Sequence, residues 1–248
     1  MTWHKEFISQ SYNHPIYKLR ELPVYITKEF NFYRCVEFKE DFYGKTASYL
    51  FNGNLRECTG RYSKLFPNQK LSYWADSADT ARAEIKKHGA GNNILTFWAY
   101  DDGTSTFPTL SYQEPLVIID GRKCGIQGLI DKADNNIQLT EKEKEYLKSL
   151  INLNPDCLVF DSHAKKDGEN FLFFEKGFRK LSLRQLRLRF GRKDGGNHNH
   201  IVCAHTCDYS PSIESYGECF MPKAKIIMDQ SYLLSNEYLS RKQILNES

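Results

Sequence analysis

Two apolar segments separated by one short loop constrain the fold of this chain most. The segments are DCLVFDS at residues 156–162 and NFLFFE at residues 170–175, and the loop between them contains HAKKDG. Short apolar runs bounded by turn residues are typical of β-strands. We therefore predict two strands joined by this loop.

Further strands are predicted along the chain. NFYRCVEF at residues 31–38 alternates as a half-buried strand does, KLSYWA at residues 70–75 is rich in strand formers, and PLVIID at residues 115–120 is a short apolar run. The first of these strands places Arg34 on the same face as its apolar side chains.

Two helices are predicted between the strands. The segment DTARAEIKKHG at residues 79–89 follows the cap residues Asp76 and Ser77, and Gly89 is a natural helix end. Ala81, Ile85 and His88 fall on one face of this helix.

The second helix begins at a capping box formed by Thr140 and Glu143. Its apolar face would contain Tyr146, Leu147, Leu150 and Ile151. Strands and helices thus alternate without a regular βαβ repeat, which indicates an α+β fold. We expect one domain over residues 1–248.

Composition excludes several classes of protein. Aromatic residues make up 14% of the chain, which argues against disorder, and the net charge of +3 does not by itself imply nucleic acid. No apolar run approaches the roughly 20 residues that a membrane span needs. The N-terminal MTWHKEFISQSYNHP lacks the apolar core of a signal peptide. We therefore expect no membrane association and a cytoplasmic location.

The seven cysteines support the same location. Their number is odd and most are far apart in the sequence, which fits reduced thiols better than a disulfide framework. No GxGxxG motif follows a predicted strand, so a Rossmann-type dinucleotide site is not indicated.

A basic stretch lies on the C-terminal side. Residues 176–193 contain eight Lys or Arg and no Asp or Glu, including Arg184, Arg187, Arg189 and Arg192. The alternation of these arginines with leucines predicts a strand with one basic face, although a short helix fits the spacing as well. We favour a solvated face, and the alternative is an anion site for an acidic partner or nucleic acid.

The next segment, HNHIVCAHTC at residues 198–207, contains several residue types that bind zinc. On a strand, the spacing would place His198 and His200 on one face and Cys203, His205 and Cys207 on the other. That arrangement splits the set, and the segment contains no CxxC pair. We therefore predict a half-buried strand and no metal, with zinc as the alternative.

Two blocks of the sequence resemble one known family. The first runs from Gly60 to Gly89 and contains a Gly-Arg turn at Arg61, the strand LSYWADS and the helical segment TARAE. The second, at residues 155–178, contains a strand that ends in Ser162. Their content and order resemble the RES domain family, named for its Arg, Glu and Ser. The resemblance covers about residues 31–178, leaving residues 1–30 and 179–248 as flanking segments.

RES proteins are similar in fold to ADP-ribosyltransferases, and they are typically toxins that consume NAD and are neutralised by an antitoxin. The resemblance therefore implies an ADP-ribosyltransferase-like fold, with a mixed or split sheet and flanking helices. It also implies NAD as the substrate and an antitoxin as the partner. The activity would be that of an NAD glycohydrolase or an ADP-ribosyltransferase.

The resemblance assigns a role to each matching residue. Glu84 would stabilise the positive charge that develops on the ribose, Arg61 would bind phosphate, Tyr73 would stack on nicotinamide, and Ser162 would hydrogen-bond the ribose. Glu84, Arg61 and Tyr73 are the catalytic candidates. Arg34, on its predicted strand face, is a second candidate for binding phosphate.

Each residue also has a purely structural interpretation. Glu84 would be a solvated helix residue paired with Lys87 or His88, and Ser162 a turn residue that opens a loop. The rival function for the chain is a basic module that binds nucleic acid or a protein through residues 176–193, with or without zinc.

Overall fold

The computed structural model describes residues 8–11, 23–27, 29–42, 47–102, 116–191 and 197–204. The chain forms two compact units. The first unit comprises Met1–Phe30, Leu55–Asp76 and Asp101–Leu181, and the second comprises Asn31–Asn54, Ser77–Tyr100 and Ser182–Ser248. The single domain over residues 1–248 stays a prediction.

Strands and helices alternate irregularly along the described residues. The strands are β1 (Ile8–Ser11), β2 (Pro23–Thr27), β3 (Glu29–Glu37), β4 (Arg56–Glu57), β5 (Lys70–Ala75), β6 (Ile94–Asp102), β7 (Leu116–Asp120), β8 (Cys157–Asp161), β9 (Glu169–Phe174), β10 (Leu181–Gly191) and β11 (Asn197–Ala204). The helices are α1 (Ala47–Asn52), α2 (Arg61–Leu65), α3 (Ala78–Lys87), α4 (Ile126–Asp134), α5 (Glu141–Asn152) and α6 (Glu175–Phe178), with a 3-10 turn at Glu40–Phe42.

The first unit is built on a mixed sheet. Its strands lie in the order β1-β2-β7-β8-β9-β5, and the short β4 pairs with β5. Strands β7 and β8 are parallel, whereas the other pairs are antiparallel. This arrangement confirms the α+β class, with a mixed sheet and flanking helices.

Helices α2, α4 and α5 contribute to the core of the first unit. Helix α4 buries Ile126, Leu129, Ile130 and Ala133, which recur at helical spacing. Each large apolar side chain buried in this way contributes about 1.5–3 kcal/mol relative to exposure. The buried members of this core are Leu65, Phe66, Leu71, Ile119, Ile126, Leu129, Ile130, Ala133, Leu147, Leu150, Leu158, Phe160, Leu172 and Phe174.

Helix α5 begins as its sequence predicts. The Thr140 hydroxyl accepts a hydrogen bond from the Glu143 backbone N–H, and the Glu143 carboxylate accepts one from the Thr140 N–H. This reciprocal capping box satisfies two backbone donors that a helix start otherwise leaves unpaired. Leu147 and Leu150 are buried, while Tyr146 is half-buried and donates its hydroxyl to the Cys124 carbonyl at 3.0 Å.

The two strands predicted from the apolar segments are β8 and β9. They pair antiparallel, with Cys157 opposite Phe173 at one end and Asp161 opposite Glu169 at the other. Both strands are buried along almost their whole length, which explains why their sequences are continuously apolar.

In the second unit, strands β3, β6, β10 and β11 follow one another in the sheet. Phe32 and Cys35 of β3 are both buried, so both faces of this strand are covered. The alternating part of the basic stretch forms a strand, β10, rather than a helix: Leu186 and Leu188 are buried, and Arg187 between them is exposed. Arg192 lies outside the described residues.

Helix α3 is capped as predicted but buries a different face. Ser77 accepts a hydrogen bond from the Thr80 N–H, and Gly89 beyond the helix has a φ of 85°. The buried residues are Thr80, Ala81 and Glu84. His88, which the spacing places on the same face as Ala81 and Ile85, is the exposed C-cap residue, where the helical path ends.

The predicted strand at HNHIVCAHTC is confirmed for the part that the structure describes. Strand β11 pairs antiparallel with β10, placing His198 opposite Phe190 and His200 opposite Leu188. The register shifts between Leu186 and Arg187. His205 and Cys207 lie outside the described residues.

Candidate active site

Arg61 begins helix α2 directly after Gly60. Gly60 has a φ of 61° and a ψ of −135°, a conformation open to glycine and strained for other residues. The Arg61 guanidinium donates from Nη1 to Asp134 Oδ2 at 2.5 Å and from Nη2 to the Tyr62 hydroxyl at 2.9 Å. The glycine thus allows the turn, and the ion pair with helix α4 orients the guanidinium.

The surroundings of Arg61 keep it cationic. Burial lowers the pKa of this guanidinium, but Tyr62, Asp134 and Tyr73 together outweigh burial and raise the pKa above its ordinary value. A permanent positive charge with a planar fork of donors suits an anion such as a phosphate.

Tyr73 lies on β5 in an aromatic cluster beside Arg61. Its ring centroid is 5.9 Å from that of Tyr62 and 6.0 Å from that of Phe160, and both pairs are tilted. The Arg61 guanidinium carbon lies 4.7 Å from the Tyr62 ring centroid. Arg61 and Tyr73 therefore lie close together in the first unit, and both contact Tyr62.

Ser162 opens the loop between β8 and β9. Its N–H donates to the Gly168 carbonyl at 2.8 Å, and its hydroxyl oxygen accepts from the N–H groups of Ala164 and Lys165, both at 3.2 Å. The Gly168 N–H donates to the Lys165 carbonyl at 3.2 Å. These bonds give the loop at residues 162–168 a defined shape, which we call the Ser162 loop.

Glu84 is buried, with 6% of its surface exposed, on the inward face of α3 beside Thr80 and Ala81. This burial excludes the interpretation of Glu84 as a solvated helix residue. Carboxylates are rarely buried to this degree unless they are paired or have a functional role.

Arg34 lies on β3 in the second unit and is half-buried. Its Nε donates to Asn54 Oδ1 at 2.8 Å, and the buried Asn54 side chain donates in turn to the Leu50 carbonyl at 3.4 Å. This chain of contacts orients the guanidinium from helix α1.

The candidates from the sequence are distributed over both units. Arg61, Tyr73 and Ser162 belong to the first, and Arg34 and Glu84 belong to the second. Their assignment to an NAD site stays a prediction.

Sequence reasoning missed a charged cluster at the ends of neighbouring strands in the first sheet. The parallel strands β7 and β8 end with Asp120 and Asp161, and the antiparallel strand β9 begins beside them with Glu169. Asp76, which follows β5, donates its N–H to the Glu169 carbonyl at 3.1 Å. The available signal was an acidic residue at the same end of each strand.

Arg122 is the cation of this cluster. It binds the fully buried Asp120 with two bonds, Nε to Oδ1 at 2.8 Å and Nη2 to Oδ2 at 3.0 Å. Its Nη1 contacts Glu169 Oε1, and also Asp161 Oδ1 at 3.4 Å. Lys123 adds a weaker contact to Asp120 at 3.6 Å. One guanidinium therefore bridges the ends of three adjacent strands.

Glu169 holds its proton unusually tightly. Burial raises the pKa of this carboxyl to about 8 against the opposing effect of Arg122, and the nearby Asp76 and Asp161 raise it further. The pKa of Arg122 is lowered by burial and raised more strongly by Asp120 and Glu169, so the guanidinium stays charged. Because Asp120 already forms a two-bond ion pair with Arg122, Glu169 can stay protonated at neutral pH.

Two further observations bear on cofactors and membranes. Among the side chains that the structure describes, no group of three or more His, Cys, Asp or Glu residues is arranged to hold a metal ion. The side chains of β11 are not among them. Within the described ranges, no helix has the length and apolar character to cross a membrane.

No family profile and no curated protein sequence matches the chain. Among solved structures, the chain is similar to a chain in the crystal structure of the M. tuberculosis MbcT–MbcA toxin–antitoxin complex. That match has 12% sequence identity and a TM-score of 0.35, and it covers 64% of this chain and 82% of the other. A TM-score of this size is too low to carry an assignment.

Proposed function

We propose that this protein is an NAD-consuming enzyme that cleaves the bond between nicotinamide and ribose. It acts as an NAD glycohydrolase or ADP-ribosyltransferase, and as a toxin that an antitoxin protein neutralises. The proposal rests on the resemblance of residues 31–178 to the RES domain family. The observation that carries it is the burial of Glu84, because a carboxylate with 6% exposure does not fit a solvated helix surface.

Glu84 supplies the negative charge that this reaction requires. When the glycosidic bond breaks, its electron pair leaves with the nicotinamide nitrogen and positive charge develops on the ribose. A carboxylate held in a buried position stabilises this charge more strongly than it would in water. The acceptor oxygen, from water or another acceptor molecule, then bonds to the sugar carbon and loses its proton.

Arg61 and Tyr73 bind the substrate in this proposal. The Arg61 guanidinium, already oriented by Asp134, pairs with a phosphate of NAD. The Tyr73 ring stacks on the nicotinamide, and the contacts of this ring with Tyr62 and Phe160 hold it in position. The shared neighbourhood of these two side chains supports their assignment to one ligand.

Ser162 and Arg34 complete the set. The Ser162 hydroxyl accepts from two backbone N–H groups, which orients it to donate its proton to a ribose oxygen. Arg34, oriented by Asn54, is the second candidate for phosphate.

The direct test is incubation of the purified protein with NAD followed by mass spectrometry of the products. Free nicotinamide with ADP-ribose would identify a glycohydrolase. Nicotinamide with a modified protein, nucleic acid or small acceptor would identify a transferase. If NAD is recovered intact across added acceptors and pH values, the proposed activity is wrong.

A second candidate function is a basic module that binds an acidic partner. The observation that favours it is the exposure of Arg187 on β10, beside the half-buried Arg189. Steeply salt-dependent nucleic-acid binding without loss of NAD would support this function instead.

A further inference from the structure

The Ser162 loop is attached to the protein at two charged strand ends. Asp161 precedes Ser162 at the end of β8, and Glu169 follows the loop at the start of β9. These two residues face each other in the strand register, and Arg122 Nη1 contacts both carboxyl groups. Any change in this contact therefore acts on both ends of the loop.

Two carboxylates and one guanidinium act on the Glu169 carboxyl. Asp76 approaches it from the end of β5, Asp161 from β8, and Arg122 from the turn after β7. The Arg122 guanidinium is shared with the buried Asp120, to which it donates two hydrogen bonds. With 3% of its surface exposed, Glu169 gains little stabilisation from water when it ionises.

We propose that Arg122 and Glu169 form a proton-dependent latch that holds the Ser162 loop in place, with Arg122 as a positioning residue for Ser162. In the closed loop, Glu169 keeps its proton, and Arg122 joins it to Asp120 and Asp161. When the loop opens, Glu169 reaches water and releases its proton to solvent. The functional value of positioning Ser162 rests on the proposed function, whereas the latch itself does not.

The direction of the pH dependence follows from this linkage. The pKa of Glu169 is about 8 in the closed loop and close to the ordinary value of about 4.5 once the side chain is solvated. Opening releases a proton between these values, so the opening constant rises with pH by up to about tenfold per unit. Above about pH 8 both states are ionised, and the dependence levels off.

One other side chain of the loop contacts helix α4. His163 Nε2 lies 3.1 Å from Asp131 Oδ1 and 3.2 Å from Gln127 Nε2, both on α4. The experiment must therefore separate His163 from Glu169.

Hydrogen exchange of the intact protein tests the latch without reference to catalysis. Protection of the peptide that covers residues 162–168 is measured from pH 5.5 to 9 and corrected for intrinsic exchange. We expect protection to fall toward pH 8 and then level off in the wild type and in His163→Gln. In Glu169→Gln, whose side chain has no ionisable proton, protection should not change with pH.

Changes at Arg122 test the other half of the latch. Arg122→Lys keeps the charge but loses the planar fork, so the loop peptide should lose protection while peptides from α5 stay protected. Arg179→Gln, which removes an exposed arginine paired with Glu175, is the matched control and should behave as the wild type. If Arg122→Lys does not fold, Glu169→Gln decides the question.

The latch is wrong if Glu169→Gln keeps the pH dependence of the wild type, or if His163→Gln removes it. It is also wrong if Arg122→Lys leaves the loop fully protected. The proposed function is tested separately. If the loop responds to pH as expected but the protein consumes no NAD, the latch is supported and the NAD activity is wrong.

Discussion

Asp161 and Glu169 lie opposite each other across β8 and β9, and one nitrogen of Arg122 contacts both of them. Like charges directly opposite each other on antiparallel strands are destabilising. The cluster avoids part of this repulsion because the pKa of Glu169 is raised to about 8. This shift favours the protonated form of Glu169, and it links the ionisation of this carboxyl to folding.

The first prediction concerns the stability of the whole protein. The pKa of Glu169 is higher in the folded state than in the unfolded state, so the folded state binds more protons. The stability that Glu169 contributes in this way is complete below about pH 4.5 and is lost as pH rises to about 8. The free energy of unfolding of Glu169→Gln minus that of the wild type should rise across this window, by at most about 1.4 kcal/mol per pH unit. Denaturant unfolding at several pH values measures it, and a constant difference would contradict it.

The second prediction concerns Gly177 in α6. A Cβ atom at this position would lie 2.1 Å from the Asp156 carbonyl oxygen, which also accepts the Phe174 N–H at 3.1 Å. Because the obstacle is backbone, Gly177→Ala should destabilise the protein by several kcal/mol, beyond the ~1–3 kcal/mol typical of overpacking. Gly128→Ala on α4 is the control: its Cβ would meet nothing within 4 Å, and it should stabilise by about 0.5–1 kcal/mol. Equal midpoints in thermal unfolding would contradict the packing.

The third prediction concerns the substrate contacts of Arg61 and Ser162. Arg61→Lys keeps the charge but loses the fork that binds Asp134 and would bind phosphate, so KM for NAD should rise more than kcat falls. Ser162→Ala removes one hydrogen bond and should cost about 0.5–1.5 kcal/mol in kcat/KM. Steady-state kinetics measure both. Unchanged constants for either variant would reject the role of that residue.

The fourth prediction concerns the basic strand. The double change Arg187→Gln and Arg189→Gln should alter stability by no more than about 0.5 kcal/mol and leave NAD turnover unchanged, because Arg187 is exposed and neither arginine belongs to the proposed NAD site. Turnover measured at low and high salt provides the check. A loss at low salt that saturating NAD restores would show that these arginines bind an anion.

Local signals in the sequence predicted much of the fold. The capping box of Thr140 and Glu143 and the apolar runs of β7, β8 and β9 depend on neighbouring residues, so they can be read directly. Helix α4 was missed although Ile126, Leu129 and Ile130 recur at helical spacing. Its start at a left-handed glycine and its internal Gly128 weaken the local preference for helix.

The Arg122 cluster could not be predicted in the same way. An acidic residue follows β5, and acidic residues end β7 and β8; all three are visible in the sequence. Their convergence depends on the parallel pairing of β7 with β8 and on the placement of β9 beside them. Such long-range pairing is set by the whole sheet rather than by local sequence. The burial of Glu84 is likewise a tertiary property, since helical periodicity alone indicated the neighbouring Ala81 and Ile85.

The most direct measurement of the central claim is NAD turnover by the wild type and by Glu84→Gln, followed as nicotinamide release. This change removes a charge and almost no volume, so it reports the electrostatic stabilisation of the reacting ribose. Glu145→Gln, at an exposed position on α5, is the matched control. We predict nicotinamide release by the wild type and by Glu145→Gln, and a loss of about a hundredfold or more in a folded Glu84→Gln protein. Wild-type turnover in Glu84→Gln would contradict the account.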